Sequence, residues 1–199
     1  MKLRVLGSAG AEFPDFRPPA FLIDDHLLLD AGTIGSVLGE EEQWALENIL
    51  ITHSHLDHIR AIPALADNII LKNLGHTVVV HSTRDVITAM KDHLFNGVIW
   101  PDFTRIPTPE HPVLAFQEIE IGRPFTVADY TVRAVEVNHT VPAVGYIISN
   151  NGATLAYTGD TGPTEAIWRH VSGIDALIVE VSFPDSMEDL ALLTRHLTC

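Results

Sequence analysis

Short apolar runs bounded by turn residues recur along most of the chain. Apolar runs of about 4–8 residues that are flanked by glycine, asparagine or aspartate are typical of buried β-strands. The pattern predicts strands at Leu3–Leu6, Phe21–Ile23, Leu27–Asp30, Asn48–Thr52, Val78–His81, Val132–Val137, Gly145–Ser149, Thr154–Thr158 and Ala176–Val181.

Turn and capping residues connect these strands and mark the helices. Asp24-Asp25 and Asn150-Asn151-Gly152 each separate two apolar runs, which predicts two β-hairpins. Helices are predicted at Thr83–Leu94 and Thr164–Val171, each opened by a threonine suited to the N-cap, and at Met187–Arg195. Strands mixed with helices in this order favour an α/β sandwich of two packed sheets with helices outside. We expect a single domain over residues 1–199.

A cluster of metal-ligand side chains follows the predicted strand Asn48–Thr52. His53, His55, Asp57 and His58 supply three imidazoles and one carboxylate within six residues. Alternate residues of an extended segment point the same way, so His53 and His55 can bind one ion. A turn into a helix would direct Asp57 and His58 to a neighbouring point. These ligand types suit zinc, manganese or iron.

Further ligands must come from other strand or helix ends. His139 follows the strand Val132–Val137, and Asp160 follows Thr154–Thr158 between Gly159 and Gly162. Glycines at these positions allow close approach of backbone to a site. His196 lies at the end of the last predicted helix. Each of these residues is weak evidence for a metal site by itself. Only together with the cluster His53–His58 do they indicate a metal centre.

At this point the sequence resembles the metallo-β-lactamase superfamily. The resemblance rests on the motif His53 to His58, on the later His139, Asp160 and His196, and on Val5-Leu6-Gly7-Ser8 and Leu29-Asp30-Ala31-Gly32. It implies a four-layer αββα sandwich with two divalent ions, zinc first and manganese or iron as alternatives. It assigns His53, His55 and His139 to one ion and Asp57, His58 and His196 to the other, with Asp160 bridging them.

Within that superfamily the chain is similar to the class II 3′,5′-cyclic nucleotide phosphodiesterases. The similarity rests on His53–Ile59, on the aromatic segment His93–Thr104, and on His139–Ala143 with Gly159–Gly162. It implies cleavage of cyclic AMP or cyclic GMP to the 5′-monophosphate by a hydroxide shared between the ions. Asp57 and His196 are the implied catalytic residues, and a homodimer is implied by family likeness. The class usually has a glycine-like residue where Ala61 stands. Relatives also continue beyond the position of Cys199, so we expect C-terminal elements to be missing.

Side chains outside the ligand set have alternative interpretations. Asp30 and Glu180 could accept the second N–H of metal-bound imidazoles, or could simply cap turns. Phe95, Trp100 and Phe103 could stack on a purine or belong to the core. Asn96 could contact the base or sugar. His81 is expected to be structural.

Charge and cysteine content limit the function classes. The formal net charge is −14, from 26 acidic and 12 basic residues, which disfavours a long nucleic-acid partner and leaves a small anionic substrate. No apolar run predicts a membrane span, and no secretory signal is visible. Cys199 is the single cysteine, which suits a cytoplasmic location. The alternatives are an RNA-end phosphodiesterase, a lactone or thioester hydrolase, and a degenerate metal-binding module. An iron-based oxygen reductase fits less well.

Overall fold

The computed structural model describes residues 1–72 and 75–199. It divides into two compact units, Lys2–Glu118 and Ile119–Cys199, and the second also includes Met1. Each unit is built on its own main β-sheet. No helix within the described residues is long and apolar enough to cross a membrane.

The first unit contains a six-stranded sheet. Its strands are β1 Leu3–Gly7, β2 Ala20–Ile23, β3 Leu27–Leu29, β4 Asn48–Leu50, β5 Val78–Ser82 and β8 Leu114–Glu118. The strand order is β1-β2-β3-β4-β5-β8, antiparallel from β1 to β3 and parallel from β3 onward. A separate two-stranded ribbon is formed by β6 Pro107–Thr108 and β7 His111–Pro112. Because β3 and β4 are parallel, the segments that follow them leave the same edge of the sheet.

The described residues of the first unit form four helices: α1 Glu40–Trp44, α2 Leu56–Ile59, α3 Ile62–Lys72 and α4 Arg84–His93. Helix α3 buries Ile62, Leu65, Ala66 and Ile69, which lie on one face at helical spacing. These side chains join a core cluster that includes strand residues such as Leu28, Ile49 and Val80. The sequence analysis missed α3 although its apolar spacing was visible.

The second unit contains a five-stranded sheet. Its strands are β9 Pro124–Val127, β10 Tyr130–Glu136, β11 Val144–Asn150, β12 Ala153–Tyr157 and β13 Ala176–Ile178. The order is β13-β12-β11-β10-β9, with β13 parallel to β12 and the remaining pairs antiparallel. Helix α5, Glu188–Thr194, follows β13. Short 3₁₀ helices lie at Ile167–His170 and Asp185–Met187.

Both predicted hairpins are confirmed. Asp24 and Asp25 have φ values of 45° and 66°, and Asn151 and Gly152 have φ values of 49° and 81°. Two successive residues with positive φ form the turn that matches the twist of a tight hairpin. Aspartate, asparagine and glycine tolerate this conformation better than other residues, so the sequence signal was direct.

The helix predicted at Thr164–Val171 is wrong in type and extent. Only the 3₁₀ helix Ile167–His170 forms, since Pro163 precedes the segment and Gly173, at φ 76°, follows it closely. The strand predicted at Asn48–Thr52 ends at Leu50. The backbone N–H of Thr52 instead donates to the carboxylate of Asp30 at 2.8 Å. Thr83 occupies the N-cap of α4 as predicted, but its side chain makes no capping hydrogen bond.

Candidate metal centre

The first ligand set lies in the segment that follows β4. His53 is extended and fully buried, His55 is the N-cap residue of α2, and Asp57 and His58 lie in that helix. The ring centroid of His53 is 4.7 Å from that of His55 and 4.1 Å from that of His58. Asp57 is half-buried, with a carboxylate oxygen 3.5 Å from His58 Nε2. The first unit therefore brings together the four predicted ligands of this segment.

Asp30 holds His58 in place from the end of β3. Its side chain is fully buried, and its backbone adopts the left-handed conformation at φ 52°. The Nδ1 atom of His58 lies 2.7 Å from Asp30 Oδ2. An ionised carboxylate only accepts hydrogen bonds, so Nδ1 carries the proton and the lone pair of His58 is on Nε2. The predicted orienting role of Asp30 agrees with this contact.

Thr52 connects Asp30 to a second imidazole, that of His53, through its hydroxyl group. Its hydroxyl lies 2.9 and 3.1 Å from the two Asp30 oxygens and 3.0 Å from His53 Nδ1. The single hydroxyl proton is donated to the carboxylate, so the hydroxyl oxygen accepts from His53 Nδ1–H. His53 therefore also presents Nε2 as its basic nitrogen. Nothing in the sequence analysis singled out Thr52, although its position beside His53 was visible.

The second ligand set lies in the second unit. His139, Asp160 and His196 each offer a ligand atom, and these atoms all lie within 4.8 Å of one another. The ring centroids of His139 and His196 are 5.1 Å apart. His139 is buried, whereas Asp160 and His196 are half-buried. Three residues from distant parts of the sequence thus meet in one unit, as the sequence analysis predicted for them.

Glu180 organises this set as Asp30 organises the first. Its Oε1 atom lies 2.9 Å from His196 Nδ1 and accepts the backbone N–H groups of Thr161 at 3.1 Å and Leu197 at 3.2 Å. The carboxylate is thus bonded to the residues that directly follow Asp160 and His196. Ser182 donates to the other carboxylate oxygen at 2.9 Å. The orienting role predicted for Glu180 agrees with these contacts.

The tautomer of His139 is fixed by a backbone carbonyl. Its Nδ1 lies 3.1 Å from the oxygen of Arg195, and a carbonyl oxygen can only accept. In His53, His58, His139 and His196 the proton is therefore placed on Nδ1 and the lone pair on Nε2. Imidazoles oriented in this way by carboxylate or carbonyl partners are typical zinc ligands. The donor atoms and their orientation fit divalent metal ions.

A cavity of about 360 Å³ adjoins His139 in the second unit. It is lined by residues 136–143 and by Arg195. Cavities of roughly 300–1,000 Å³ accommodate small molecules. Gly162 contributes to this part of the unit, because a Cβ there would lie 3.1 Å from Arg195 Cα. The predicted role of these glycines, close backbone approach, is confirmed at Gly162.

The aromatic segment does not form the predicted stacking wall. Phe95 and Phe103 are 2% and 3% exposed and belong to the core of the first unit, and Trp100 packs against that core. Asn96 builds the local turn, since its Oδ1 accepts the N–H groups of Val98 and Ile99, both at 2.9 Å. The purine-stacking interpretation was therefore wrong for Phe95 and Phe103. Burial could not be judged from aromatic content alone.

Comparison with known proteins identifies the family to which the chain belongs. The sequence model described as the beta-lactamase superfamily domain matches residues 30–198, which include all seven predicted ligands. The chain belongs to the β-lactamase superfamily of metal-dependent hydrolases. The predicted fold class, an α/β sandwich, is confirmed by likeness to the metallo-beta-lactamase fold protein YhfI from Bacillus subtilis. That likeness has a TM-score of 0.77 at 19% identity and covers 98% of this chain and 76% of the other.

Curated relatives of this superfamily member differ in their named activities. A probable 3′,5′-cyclic-nucleotide phosphodiesterase from Yersinia pestis is 26% identical over 77% of the chain. The alignment spans 48% of that relative, so the chain corresponds to about half of its length. A ribonuclease Z from Haloarcula marismortui is 22% identical over 100% of the chain and 79% of its own length. The similarity therefore supports a metal-dependent hydrolase of the superfamily.

Proposed function

We propose that the chain is a phosphodiesterase that cleaves 3′,5′-cyclic nucleotides to 5′-monophosphates with two divalent metal ions. The observation that carries this proposal is the His139–Asp160–His196 cluster, whose ligand atoms lie within 4.8 Å of one another beside a cavity of small-molecule size. The seven residues named from the sequence are the proposed ligands. Zinc is the proposed metal, because four imidazoles are fixed with Nε2 as the basic nitrogen.

The ligands divide as the family resemblance implies. His53, His55 and His139 would hold one ion, Asp57, His58 and His196 would hold the other, and Asp160 would contribute to both. When bound, the ions supply charge stabilisation at the phosphoryl oxygens and lower the pKa of water toward neutrality.

The residues of the chain orient the reacting groups. Asp57 is the proposed group that orients the attacking water, since its carboxylate is half-buried at the start of α2. Asp30 and Glu180 keep the imidazoles in the Nε2-basic tautomer through the contacts described above. The water oxygen would bond to phosphorus as the bond to the 3′-oxygen breaks; the water gives up one proton, the 3′-oxygen takes one up, and the 5′-monophosphate is released.

Charge and cavity size favour a cyclic nucleotide over a long RNA. The net charge of −14 opposes a polyanion, which needs an extended basic surface. A cavity of about 360 Å³ suits a mononucleotide. Cleavage at RNA ends is the second candidate, because the Haloarcula marismortui ribonuclease Z aligns with the whole chain.

Product analysis tests the proposal directly. The full chain loaded with zinc or manganese is incubated with cyclic AMP, cyclic GMP, a bis-aryl phosphodiester, a lactone and a tRNA precursor with a 3′ trailer. We expect 5′-AMP or 5′-GMP as the main product. We expect His55→Ala and Asp160→Ala to abolish turnover while leaving the far-ultraviolet circular dichroism unchanged. The exposed His111 gives the control variant His111→Ala, which keeps full activity.

Two results would overturn the proposal. Trailer removal without cyclic nucleotide cleavage would assign the chain to the second candidate. Fewer than about one metal ion per chain after reconstitution, with no turnover of any substrate, would indicate the degenerate metal-binding module.

A further inference from the structure

Arg195 has an unusual backbone conformation directly before the predicted ligand His196. It ends α5 with φ 56° and ψ 57°, in the left-handed region. Residues other than glycine, asparagine and aspartate rarely adopt this conformation, because Cβ crowds the neighbouring carbonyl. A glycine would be the favoured residue at the end of such a helix. The arginine side chain is therefore expected to provide something that glycine lacks.

Two hydrogen bonds in opposite directions connect Arg195 to His139. The carbonyl oxygen of Arg195 accepts from His139 Nδ1 at 3.1 Å. The guanidinium Nη1 of Arg195 donates to the carbonyl oxygen of His139 at 2.6 Å. The first bond sets the ring orientation and tautomer of His139, and the second fixes its main chain. His139 is therefore held at both its imidazole and its backbone by one residue.

Close backbone packing supports the same arrangement. A Cβ on Gly162 would lie 3.1 Å from Arg195 Cα and 3.2 Å from its carbonyl carbon. The N–H of Gly162 donates to the carbonyl of Asn138 at 2.7 Å. The backbone around residue 195 is thus packed against the two segments that carry His139 and Asp160. His196 follows Arg195 directly, and its own N–H donates to Ala191 at 2.8 Å.

We propose that Arg195 is a positioning residue that fixes His139 relative to His196 for metal binding. This inference rests on the proposed function, in which both histidines are ligands. The 5.1 Å separation of their rings is set by residue 195 from both sides, through its contacts with His139 and through the peptide bond to His196. Partners that orient a metal ligand in this way typically change metal affinity by about 10–100-fold when removed.

The positive charge of Arg195 and its positioning role have opposite effects on metal affinity. A guanidinium bonded to the backbone of a ligand repels a nearby cation, so loss of this charge alone would strengthen metal binding. Loss of positioning would weaken metal binding. The direction of the change therefore separates the two effects.

The test measures zinc affinity and stability of the full chain, without any substrate. In Arg195→Gly the left-handed backbone is retained and the guanidinium is lost. The carbonyl of residue 195 still accepts from His139 Nδ1 and only the guanidinium contact is lost, so we expect zinc affinity, measured by competition with a chromophoric chelator, to fall about 10-fold, the lower end of the range for one orienting partner. We expect the thermal midpoint of the metal-free protein to stay the same or rise, since glycine accepts positive φ at little cost. Arg195→Lys should recover part of the affinity, because one ammonium N–H can replace one guanidinium donor.

Two control variants match the two changes made in Arg195→Gly. Ala128→Gly relieves another positive-φ position of the same unit, at φ 47°, and should leave zinc affinity unchanged. Arg169→Ala removes an exposed positive charge of the same unit and should also leave zinc affinity unchanged.

Unchanged or stronger zinc binding in Arg195→Gly would overturn the positioning role. A fall in the thermal midpoint without a change in affinity would assign Arg195 a purely structural role, which also overturns it. Failure of the proposed ligand role of His139 gives a different pattern. In that case His139→Ala, tested in parallel, would bind zinc as tightly as the wild type.

Discussion

Asp30→Asn is expected to damage two metal ligands with one isosteric change. The Asp30 carboxylate accepts from His58 Nδ1 at 2.7 Å and from the N–H and hydroxyl of Thr52. Asparagine keeps one acceptor oxygen and replaces the other with an NH₂ donor. Either one of these three donors then faces the NH₂ group of the asparagine, or the proton of His58 moves from Nδ1 to Nε2. The second outcome converts the metal-binding nitrogen into an N–H group.

The magnitude follows from burial and charge. Asp30 is fully buried, so its hydrogen bonds to the ionised carboxylate each contribute about 1.5–3 kcal/mol. Leaving one buried neutral donor without its acceptor typically costs about 1–3 kcal/mol. We expect the free energy of unfolding of the metal-free protein to fall by that amount. Since His53 is oriented through Thr52, zinc affinity should fall by about 100-fold or more, the upper end of the range for one orienting partner.

Urea unfolding measures the stability, and chelator competition measures zinc affinity. Asp25→Asn is the matched control, because Asp25 also has a left-handed backbone, at φ 66°, but is exposed and pairs with the exposed Lys2 at 3.4 Å. An exposed pair of this kind contributes about 0–1 kcal/mol. If Asp30→Asn lost no more stability and no more zinc affinity than Asp25→Asn, the reasoning on buried donors would be refuted.

Two further variants test the second orienting carboxylate and a buried histidine. Glu180→Gln should weaken zinc binding about 10–100-fold through His196, whereas the exposed Glu165→Gln should not; equal effects in the chelator assay would contradict this. Burial lowers the pKa of His81 to about 4 from 6.5, so the unfolded chain binds an extra proton below about pH 6.5. Stability from the neutral ring is full above pH 6.5 and is lost as the pH falls toward 4, by about 2–3 kcal/mol at pH 4.5. Urea unfolding at pH 7.5 and pH 4.5 measures this effect. Over that range the free energy of unfolding of the wild type should fall by this amount more than that of His81→Gln. If the two proteins lost the same stability, His81 would be excluded as the cause.

The positions of the proposed ligand residues could be predicted in part because their signals are local. The segment from His53 to His58 has its ligand types adjacent in sequence, and His139 and Asp160 each follow a strand that the apolar pattern located. Strand ends at one sheet edge are brought close by the sheet itself. The sequence therefore predicted which residues of each unit would cluster.

The orienting contacts of Thr52 and Arg195 were not predictable in the same way. The role of Thr52 depends on a hydroxyl that donates to Asp30 and accepts from His53, and threonine is common at strand ends for other reasons. The role of Arg195 depends on a left-handed backbone that arginine rarely adopts, and no sequence pattern indicates it. For Phe95 the sequence left purine stacking and core packing as alternatives, and the structure places its side chain in the core.

Each unit carries its own carboxylate, and this explains how both ligand sets are ordered. Asp30 and Glu180 both lie just beyond a strand and accept an imidazole N–H together with backbone N–H groups of segments that carry ligands. Because a buried carboxylate without such donors would be very costly, the donors and the carboxylate fix each other as the unit folds. Metal binding then loses little conformational entropy in ordering the imidazoles. Loss of either carboxylate should therefore weaken metal binding although neither carboxylate is a proposed ligand.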